Sequence, residues 1–226
     1  MKVYQASELT HFTAQQTVIT VGTFDGVHRG HAKILKSLRE KADQIHAETV
    51  VFTFWPHPRQ VINKQKSPDK LLTTIDDKIR LFEQSGAIDH LVIYPFTKAF
   101  AQIPYCDFIE NILIKQLKMK ALVTGFNNQF GHDAKGRGDT LAQCGKNFRF
   151  DVVNVSPVTV TEGNISSTLI RNLLRKGEIE AANRMLGYSF FVIGNVVSGE
   201  RIGRSMGFPT ANVKPPENYK LIPPIG

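Results

Sequence analysis

The sequence has few cysteines and no long hydrophobic run. Only two of its 226 residues are cysteine, Cys106 and Cys144, and neither stands in a CxxC pair or a metal-ligand spacing. This argues against a disulfide-rich secreted domain and favours two reduced thiols in a cytoplasmic protein. No apolar run approaches the roughly 18 residues that span a bilayer, and the N-terminal MKVYQASELT lacks a signal-peptide core. We therefore expect a cytoplasmic chain without a membrane partner.

Acidic residues are also in the minority. The chain has 28 Lys and Arg against 20 Asp and Glu, which gives a formal charge of +8. A basic balance is compatible with nucleic-acid binding, but the basic residues are scattered along the chain. The densest short stretch, residues 63–70, holds only three lysines. We therefore expect small anionic substrates and no nucleic-acid partner; no feature of the sequence specifies an oligomeric state.

Five short apolar runs rich in β-branched residues predict the strands of a parallel sheet that is buried on both faces. They cover residues 17–22, 49–54, 90–94, 121–124 and 150–155. Segments with helical spacing, residues 31–46, 76–84 and 107–117, lie between them, and Asp107 is a candidate N-cap. This alternation predicts an α/β fold with a doubly wound parallel sheet, whose ligand lies beyond the carboxyl ends of the strands.

Two further helices, residues 167–176 and 178–186, complete the predicted first domain, residues 1–186. After Gly187 the composition changes: residues 188–197 are typical of a strand, and glycines, prolines and turn residues follow. We interpret residues 187–226 as an incomplete β-rich tail, because about forty residues are too few for an independent core.

The first chemical motif follows the first predicted strand and reads GTFDGVHRGH, residues 22–31. Gly22 and Gly26 permit a tight turn and a close approach of ligand to backbone. His28 and His31 are three residues apart at the start of a helix, so they share one face. Gly30 between them leaves room for a ribose or a purine. A helix N-terminus carries free N–H groups and a partial positive charge, so the motif predicts a phosphate site.

The two histidines have two other interpretations. They could be solvated side chains at a helix start, but the buried strand, the glycine turn and the amphipathic helix around them favour a functional site. They could also be zinc ligands, but no third ligand is evident and the sequence has no HExxH.

The second motif reads ISSTLIR, residues 165–171, and precedes an apolar-periodic helix. Ser166 or Ser167 alone would satisfy an N-cap. Three hydroxyl residues and an arginine exceed that need, and Thr168 and Arg171 share a helix face. We therefore expect hydroxyls, backbone N–H groups and a guanidinium to converge on an anion, the β- and γ-phosphates of a nucleotide.

Both motifs resemble those of the prokaryotic bifunctional riboflavin kinase/FAD synthetases, which belong to the nucleotidylyltransferase superfamily. The pattern GxFDGxHxGH matches at every fixed position between Gly22 and His31, and ISSTxIR matches between Ile165 and Arg171. The resemblance implies a Rossmann-like FMN adenylyltransferase, which converts FMN and ATP to FAD and pyrophosphate with Mg²⁺ bound to ATP. We expect substrate and water, rather than a protein cage, to hold most of the Mg²⁺ coordination.

The resemblance also implies roles for particular residues. His28, His31 and Arg171 would be catalytic, with the histidines on the α-phosphate and leaving group. The ATP-binding set would be Gly22, Thr23, Phe24, Asp25, Gly30, Asn127, Ser166, Ser167 and Thr168. The FMN-binding set would be Pro56, His57, Pro58 and Phe130, drawn from the segments FWPHP and GFNNQFG. Asn128 stands where an aromatic residue is usual in the family.

The tail contains GRSMGFPTAN, residues 203–212, which resembles the riboflavin kinase signature GRxxGFPTAN. The resemblance implies that Thr210 and Asn212 would help to bind Mg·ATP in a complete kinase barrel. One or two strands cannot close a barrel, so we expect no kinase activity from these residues.

Three alternatives to FAD synthesis remain at this point. The HxGH chemistry could serve another acceptor, such as phosphopantetheine or glycerol phosphate. The basic charge could belong to a nucleic-acid-binding module. The chain could also bind flavin without catalysis, as a sensor.

Overall fold

A single six-stranded parallel sheet forms the centre of the computed structural model, which describes residues 1–62, 70–126, 138–161, 163–199, 207–208, 210–215 and 219–224. Its strands, in spatial order, are Lys2–Gln5 (β1), His90–Tyr94 (β4), Glu48–Phe54 (β3), Thr17–Val21 (β2), Met119–Gly125 (β5) and Asp151–Val155 (β6). Every neighbouring pair is parallel. The predicted α/β class with a parallel sheet is confirmed.

Helices connect these strands. Their bounds are Arg29–Gln44 (α1), Pro58–Ile62 (α2), Ile75–Ser85 (α3), Tyr105–Phe108 (α4), Gly138–Phe148 (α5), Ser167–Arg175 (α6) and Ile179–Leu186 (α7). α4 continues into a π-helical turn, Ile109–Ile114, and 3₁₀ turns cover Ala6–His11 and Phe100–Gln102. Two small antiparallel pairs follow: Thr159–Val160 (β7) with Gly163–Asn164 (β8), and Asn195–Val197 (β9) with Asn212–Lys214 (β10).

The four inner strands, β4, β3, β2 and β5, are largely buried on both faces, as their β-branched runs predict. Successive residues of β2 illustrate this: Val18 packs into one hydrophobic cluster and Ile19 into another, and neither is exposed. A third cluster joins α6 and α7 and includes Leu72 and Leu221. The free cysteines belong to the cluster of Ile19: Cys144 lies in it and Cys106 packs against it, with their Sγ atoms 3.1 Å apart. Across the described ranges, no helix is long and apolar enough to cross a membrane.

The strand order reverses between β2 and β5. From β2 the chain builds outward through β3 and β4 on one side, and it then crosses to β5 and β6 on the other. In doubly wound sheets the crevice at this reversal, beyond the carboxyl ends of the strands, is the usual ligand site. The turn after β2 carries the first motif, so the topology places the two histidines there.

Several local predictions were wrong. β1 was missed, because its four residues KVYQ are mostly exposed and alternate in polarity. Asp107 does not cap its helix, which begins at Tyr105 after Pro104. The helix α5 was not predicted. Only Asn195–Val197 of the predicted strand 188–197 is a strand. Earlier in that segment, Phe190 N donates to the side chain of Asn183, at 2.7 Å from Oδ1, and not to a neighbouring strand.

Candidate active site

An open cleft lies at the point where the strand order reverses. It is lined by residues 21–24, His28, Gly30, His31 and Ile34 of the first motif and α1, by Gly125 and Phe126 after β5, and by residues 155–158 and 165–167. The first motif and the start of the second motif therefore share one cleft, although about 140 residues separate them in the chain.

The two histidines of the motif stack against each other. Their ring centroids lie 3.7 Å apart with an interplanar angle of 16°. His28 is the N-cap of α1, and its Nδ1 accepts a weak hydrogen bond from His31 N at 3.4 Å. His31 also packs edge-on to Phe24, with centroids 5.1 Å apart. The rings therefore stand at the positive end of a helix dipole, where an anion is favoured.

Both imidazoles are held in the neutral form. Burial lowers the pKa of His28 to about 4. Burial, the neighbouring His28 and the ammonium of Lys78 hold the pKa of His31 well below 6.5. Among the described residues, His31 Nδ1 has no hydrogen-bond partner although it is buried. A buried polar atom of this kind beside a cleft is available to a ligand.

The backbone of the loop adopts conformations that are rare for non-glycine residues. Phe24 and Val27 have φ angles of 48° and 36°, and Gly26 has a φ of 84°. At the two non-glycine residues such a conformation costs about 1–3 kcal/mol and persists only where surrounding contacts impose it, whereas glycine adopts it freely. Leu72 and Thr73 supply part of that constraint, since a Cβ at Gly26 would lie 2.6 Å from Leu72 Cδ1 and Gly26 N donates to Thr73 Oγ1 at 3.1 Å.

Asp25 is a buried anchor of this loop. Its Oδ1 accepts from Leu72 N at 2.9 Å, from Thr73 N at 3.1 Å and from Thr73 Oγ1 at 3.2 Å. Its Oδ2 lies 2.6 Å from Arg171 Nη1, and both side chains are about 3–4% exposed. Burial raises the pKa of Asp25, while Arg171 and Lys78 oppose that rise. The ATP contact of Asp25 stays a prediction; in this structure its carboxylate binds Leu72, Thr73 and Arg171.

The second motif meets the first through the same aspartate. Ser167 Oγ donates to the Asp25 carbonyl at 2.8 Å, and Arg171 pairs with the Asp25 carboxylate. Ser166 caps α6 by accepting from Leu169 N at 3.3 Å. The two serines line the cleft, so the N-terminus of α6 faces it alongside the N-terminus of α1.

Arg171 and Thr168 do not both stand open to the cleft as the sequence suggested. Thr168 is exposed and its Oγ1 accepts from Arg171 Nη2 at 3.2 Å. Arg171 itself is only 3% exposed. In this structure the guanidinium is buried and links Thr168 to Asp25, because it donates hydrogen bonds to both side chains. Sequence reasoning recognised the residue but not its buried partner, because nothing local links positions 25 and 171.

Lys78 was missed entirely. It projects from α3 and is 2% exposed, and its Nζ donates to the Thr23 carbonyl at 2.8 Å. Burial lowers its pKa to about 8, against the attraction of Asp25. The lysine occupies an ordinary position in an amphipathic helix, and no sequence signal distinguishes it from a solvated residue.

The remaining predicted residues fall in three groups. Pro56, His57 and Pro58 follow β3, the strand beside β2, and His57 is buried with its Nδ1 accepting from Arg59 N at 3.2 Å. Asn127, Asn128 and Phe130 lie outside the described residues. Thr210 and Asn212 are exposed, the latter at the start of β10.

The described residues contain no cluster of three His, Cys, Asp or Glu side chains that could hold a metal ion. The one carboxylate of the two motifs, Asp25, already accepts bonds from Leu72, Thr73 and Arg171. The donors that face the cleft are imidazoles and hydroxyls, which suit phosphate oxygens better than Mg²⁺.

Comparison with known proteins agrees with the motifs. A family model described as FAD synthetase matches residues 11–169, and one described as riboflavin kinase matches residues 186–226. The chain is 37% identical over 209 residues to the bifunctional riboflavin kinase/FMN adenylyltransferase of Listeria monocytogenes, covering 92% of this chain and 65% of that protein. It is 35% identical over 211 residues to the Bacillus subtilis protein of that name, covering 93% and 66%.

A solved structure shows the same fold. The crystal structure of a macrolide-efflux protein from Streptococcus pneumoniae superposes with a TM-score of 0.88 at 28% identity, covering 99% of this chain and 72% of that one. The FAD synthetase match spans more than half of this chain and includes β2 to β6 and the histidine pair. The family predicted from the two motifs is confirmed: the chain belongs to the FAD synthetase family.

Proposed function

We propose that this chain is an FMN adenylyltransferase that transfers AMP from ATP to FMN and releases pyrophosphate. The observation that carries the proposal is the stacked, neutral His28–His31 pair at the N-terminus of α1, facing a cleft that the second motif shares. The two curated relatives just compared carry this activity in their names, and the chain spans about two thirds of their length.

The reaction needs positioning and charge stabilisation more than a base. A phosphate oxygen of FMN attacks the α-phosphorus of ATP, the bond from that phosphorus to the bridging oxygen breaks, and the electron pair leaves with pyrophosphate. The FMN phosphate is already an anion at neutral pH, so no proton has to be removed from the nucleophile. Enzymes accelerate such transfers mainly by alignment and by stabilising charge on the phosphoryl oxygens.

His28 and His31 are placed to supply that stabilisation. Neutral imidazoles can donate through one ring nitrogen, and negative phosphates beside them favour proton uptake to imidazolium. The N–H groups at the start of α1 add donors that need no reorganisation. Gly30 leaves space beside the rings because it has no Cβ: a Cβ there would lie 3.0 Å from His28 Cε1. Together these features suit the α-phosphate and the leaving bridging oxygen.

The start of α6 is the proposed site for the pyrophosphate portion. Ser166 and Ser167 line the cleft, and Thr168 is exposed one residue further along the helix. Arg171 supports this group from behind, through its bonds to Thr168 and Asp25. Thr23, Phe24 and Gly22 line the opposite wall and are the proposed contacts of the nucleotide.

The flavin is proposed to lie beyond β3, next to the segment Pro56–His57–Pro58. β3 neighbours β2 in the sheet, so this segment ends at the same edge as the histidine loop. That arrangement would bring the FMN phosphate toward the α-phosphate. The family membership favours flavin over phosphopantetheine or glycerol phosphate as the acceptor. The segment FWPHP, residues 54–58, also favours flavin because it contains aromatic side chains.

Mg²⁺ would come with ATP and would offset the charge of the phosphates, with most of its coordination supplied by substrate and water. Both cysteines are free thiols, which suits a reducing compartment. We therefore propose a cytoplasmic location, and we propose no nucleic-acid partner.

The decisive experiment incubates the 226-residue chain with FMN, ATP and Mg²⁺ and follows FAD and pyrophosphate by chromatography. We expect equal amounts of the two products. Parallel reactions replace FMN with phosphopantetheine, glycerol phosphate or riboflavin; the riboflavin reaction tests the expectation that these residues have no kinase activity. Flavin binding without FAD formation would favour a sensor, and transfer only to another acceptor would replace the proposed substrate.

A further inference from the structure

Two residues from the part of the chain that matches riboflavin kinase contact the first motif or the segment that supports it. The kinase model begins at residue 186, and Tyr188 and Lys220 lie within its match. Tyr188 donates its hydroxyl hydrogen to the carbonyl of Gly26, inside the first motif. Lys220 reaches the short segment Leu71–Thr73, which in turn holds Asp25 and Gly26.

Lys220 is buried against this segment and is hydrogen-bonded to it. Its side chain is 2% exposed, and its Nζ donates to the Leu72 carbonyl and to Asp77 Oδ2, both at 2.7 Å. Its ammonium also lies 4.9 Å and 5.2 Å from the ring centroids of Phe190 and Phe191, within the range of a cation–π interaction. A lysine is rarely buried to this extent without such partners.

The backbone around Lys220 follows the same segment. Leu71 N donates to the Tyr219 carbonyl and Leu221 N donates to the Leu71 carbonyl, each at 2.8 Å. Leu221 is buried and packs in one cluster with Leu72. Residues 219–221 thus hold residues 71–73 from one side through hydrogen bonds and packing.

On their other side, residues 71–73 contact the loop of the first motif, which carries the histidines. The backbone N–H groups of Leu72 and Thr73 donate to Asp25 Oδ1, and Thr73 Oγ1 accepts from Gly26 N. His28 follows Gly26 by two residues and is the N-cap of α1. A displacement of residues 71–73 would therefore move the anchor of the loop that presents the histidines.

We propose that Tyr188 and Lys220 are positioning residues of the adenylyl-transfer site, so that part of the kinase-matched region is a structural component of the FAD synthetase site. This rests on the proposed function. Neither residue touches the reacting atoms; each holds backbone whose geometry sets the histidine loop. Because a displacement of about 1 Å can cost up to ~100-fold in rate, loss of either contact should be measurable in catalysis.

The test compares three variants of the full chain. Lys220→Met removes the ammonium but keeps an apolar side chain, and Tyr188→Phe removes only one hydroxyl. Lys214→Met makes the same change at an exposed residue of β10, in the same part of the chain. We expect kcat/KM for ATP to fall about tenfold or more in Lys220→Met and severalfold in Tyr188→Phe, with Lys214→Met unchanged.

Hydrogen exchange separates positioning from loss of overall stability. We expect amides of residues 22–28 and 71–73 to exchange about tenfold faster in Lys220→Met, while those of β6, Asp151–Val155, keep their wild-type rate. Equal acceleration in both regions, or unchanged exchange at residues 22–28, would overturn the proposal. If wild type makes no FAD, the proposed function fails, and the exchange data still decide the structural link.

Discussion

The neutral state of the buried histidine pair predicts how stability depends on pH. His28 is 5% exposed, and its burial lowers its pKa from 6.5 to about 4. Below pH 6.5 the unfolded chain gains a proton at this position, but the folded chain does not until the pH approaches 4. The stability contributed by the neutral ring is therefore complete above pH 6.5 and is lost as the pH falls toward 4.

The size of this effect follows from the two pKa values. Each pKa unit of difference corresponds to ~1.4 kcal/mol, so His28 should account for a loss of about 3 kcal/mol in the free energy of unfolding. The variant His28→Asn removes this titrating ring, together with the part of the lowering of the His31 pKa that His28 causes. Asparagine is a good N-cap, so it can replace the ring as an acceptor at the start of α1, but it does not titrate in this range.

Urea unfolding at a series of pH values from about 7 to 4 measures the effect. Carboxyl groups also titrate in this range, but they do so in both proteins, so the difference between the two curves reports His28 and its effect on the His31 pKa. We expect wild type to lose about 3 kcal/mol more than His28→Asn, whereas His11→Asn, a change at an exposed histidine, should follow wild type. Parallel curves for wild type and His28→Asn would refute the buried neutral ring.

Three further predictions concern the site. His31→Ala should lower kcat for FAD synthesis by about 10²–10³-fold, since it removes a preorganised donor, with little change in the melting temperature; a wild-type rate would remove His31 from the mechanism. Arg171→Met should cost about 3–5 kcal/mol in urea unfolding, because it leaves Asp25 buried without its cation, and the double variant with Asp25→Asn should recover part of that loss; a cost near zero would contradict the buried pair. Trp55, the single tryptophan of the chain, precedes the proposed flavin segment, so FMN should quench its fluorescence in a saturable titration, and an unchanged spectrum at high FMN would place the flavin elsewhere.

The local chemistry of this protein could be predicted because consecutive residues encode it. β-branched runs predicted the five strands 17–22, 49–54, 90–94, 121–124 and 150–155 within a few residues of their observed bounds. The first four of these strands are largely buried on both faces, which needs apolar side chains throughout. The histidine motif was recognisable because a glycine turn, a buried strand and a helix start follow one another directly in the chain.

What only the tertiary structure decided is how distant charges pair. Asp25 and Arg171 come from separate motifs, and the fold pairs them with each other across 146 positions of sequence. Lys78 and Lys220 look like solvated lysines in the sequence, and both are 2–4% exposed in the fold. A buried charge is stabilised by partners that the folded chain brings close, and neither its own identity nor its neighbours in sequence reveal them.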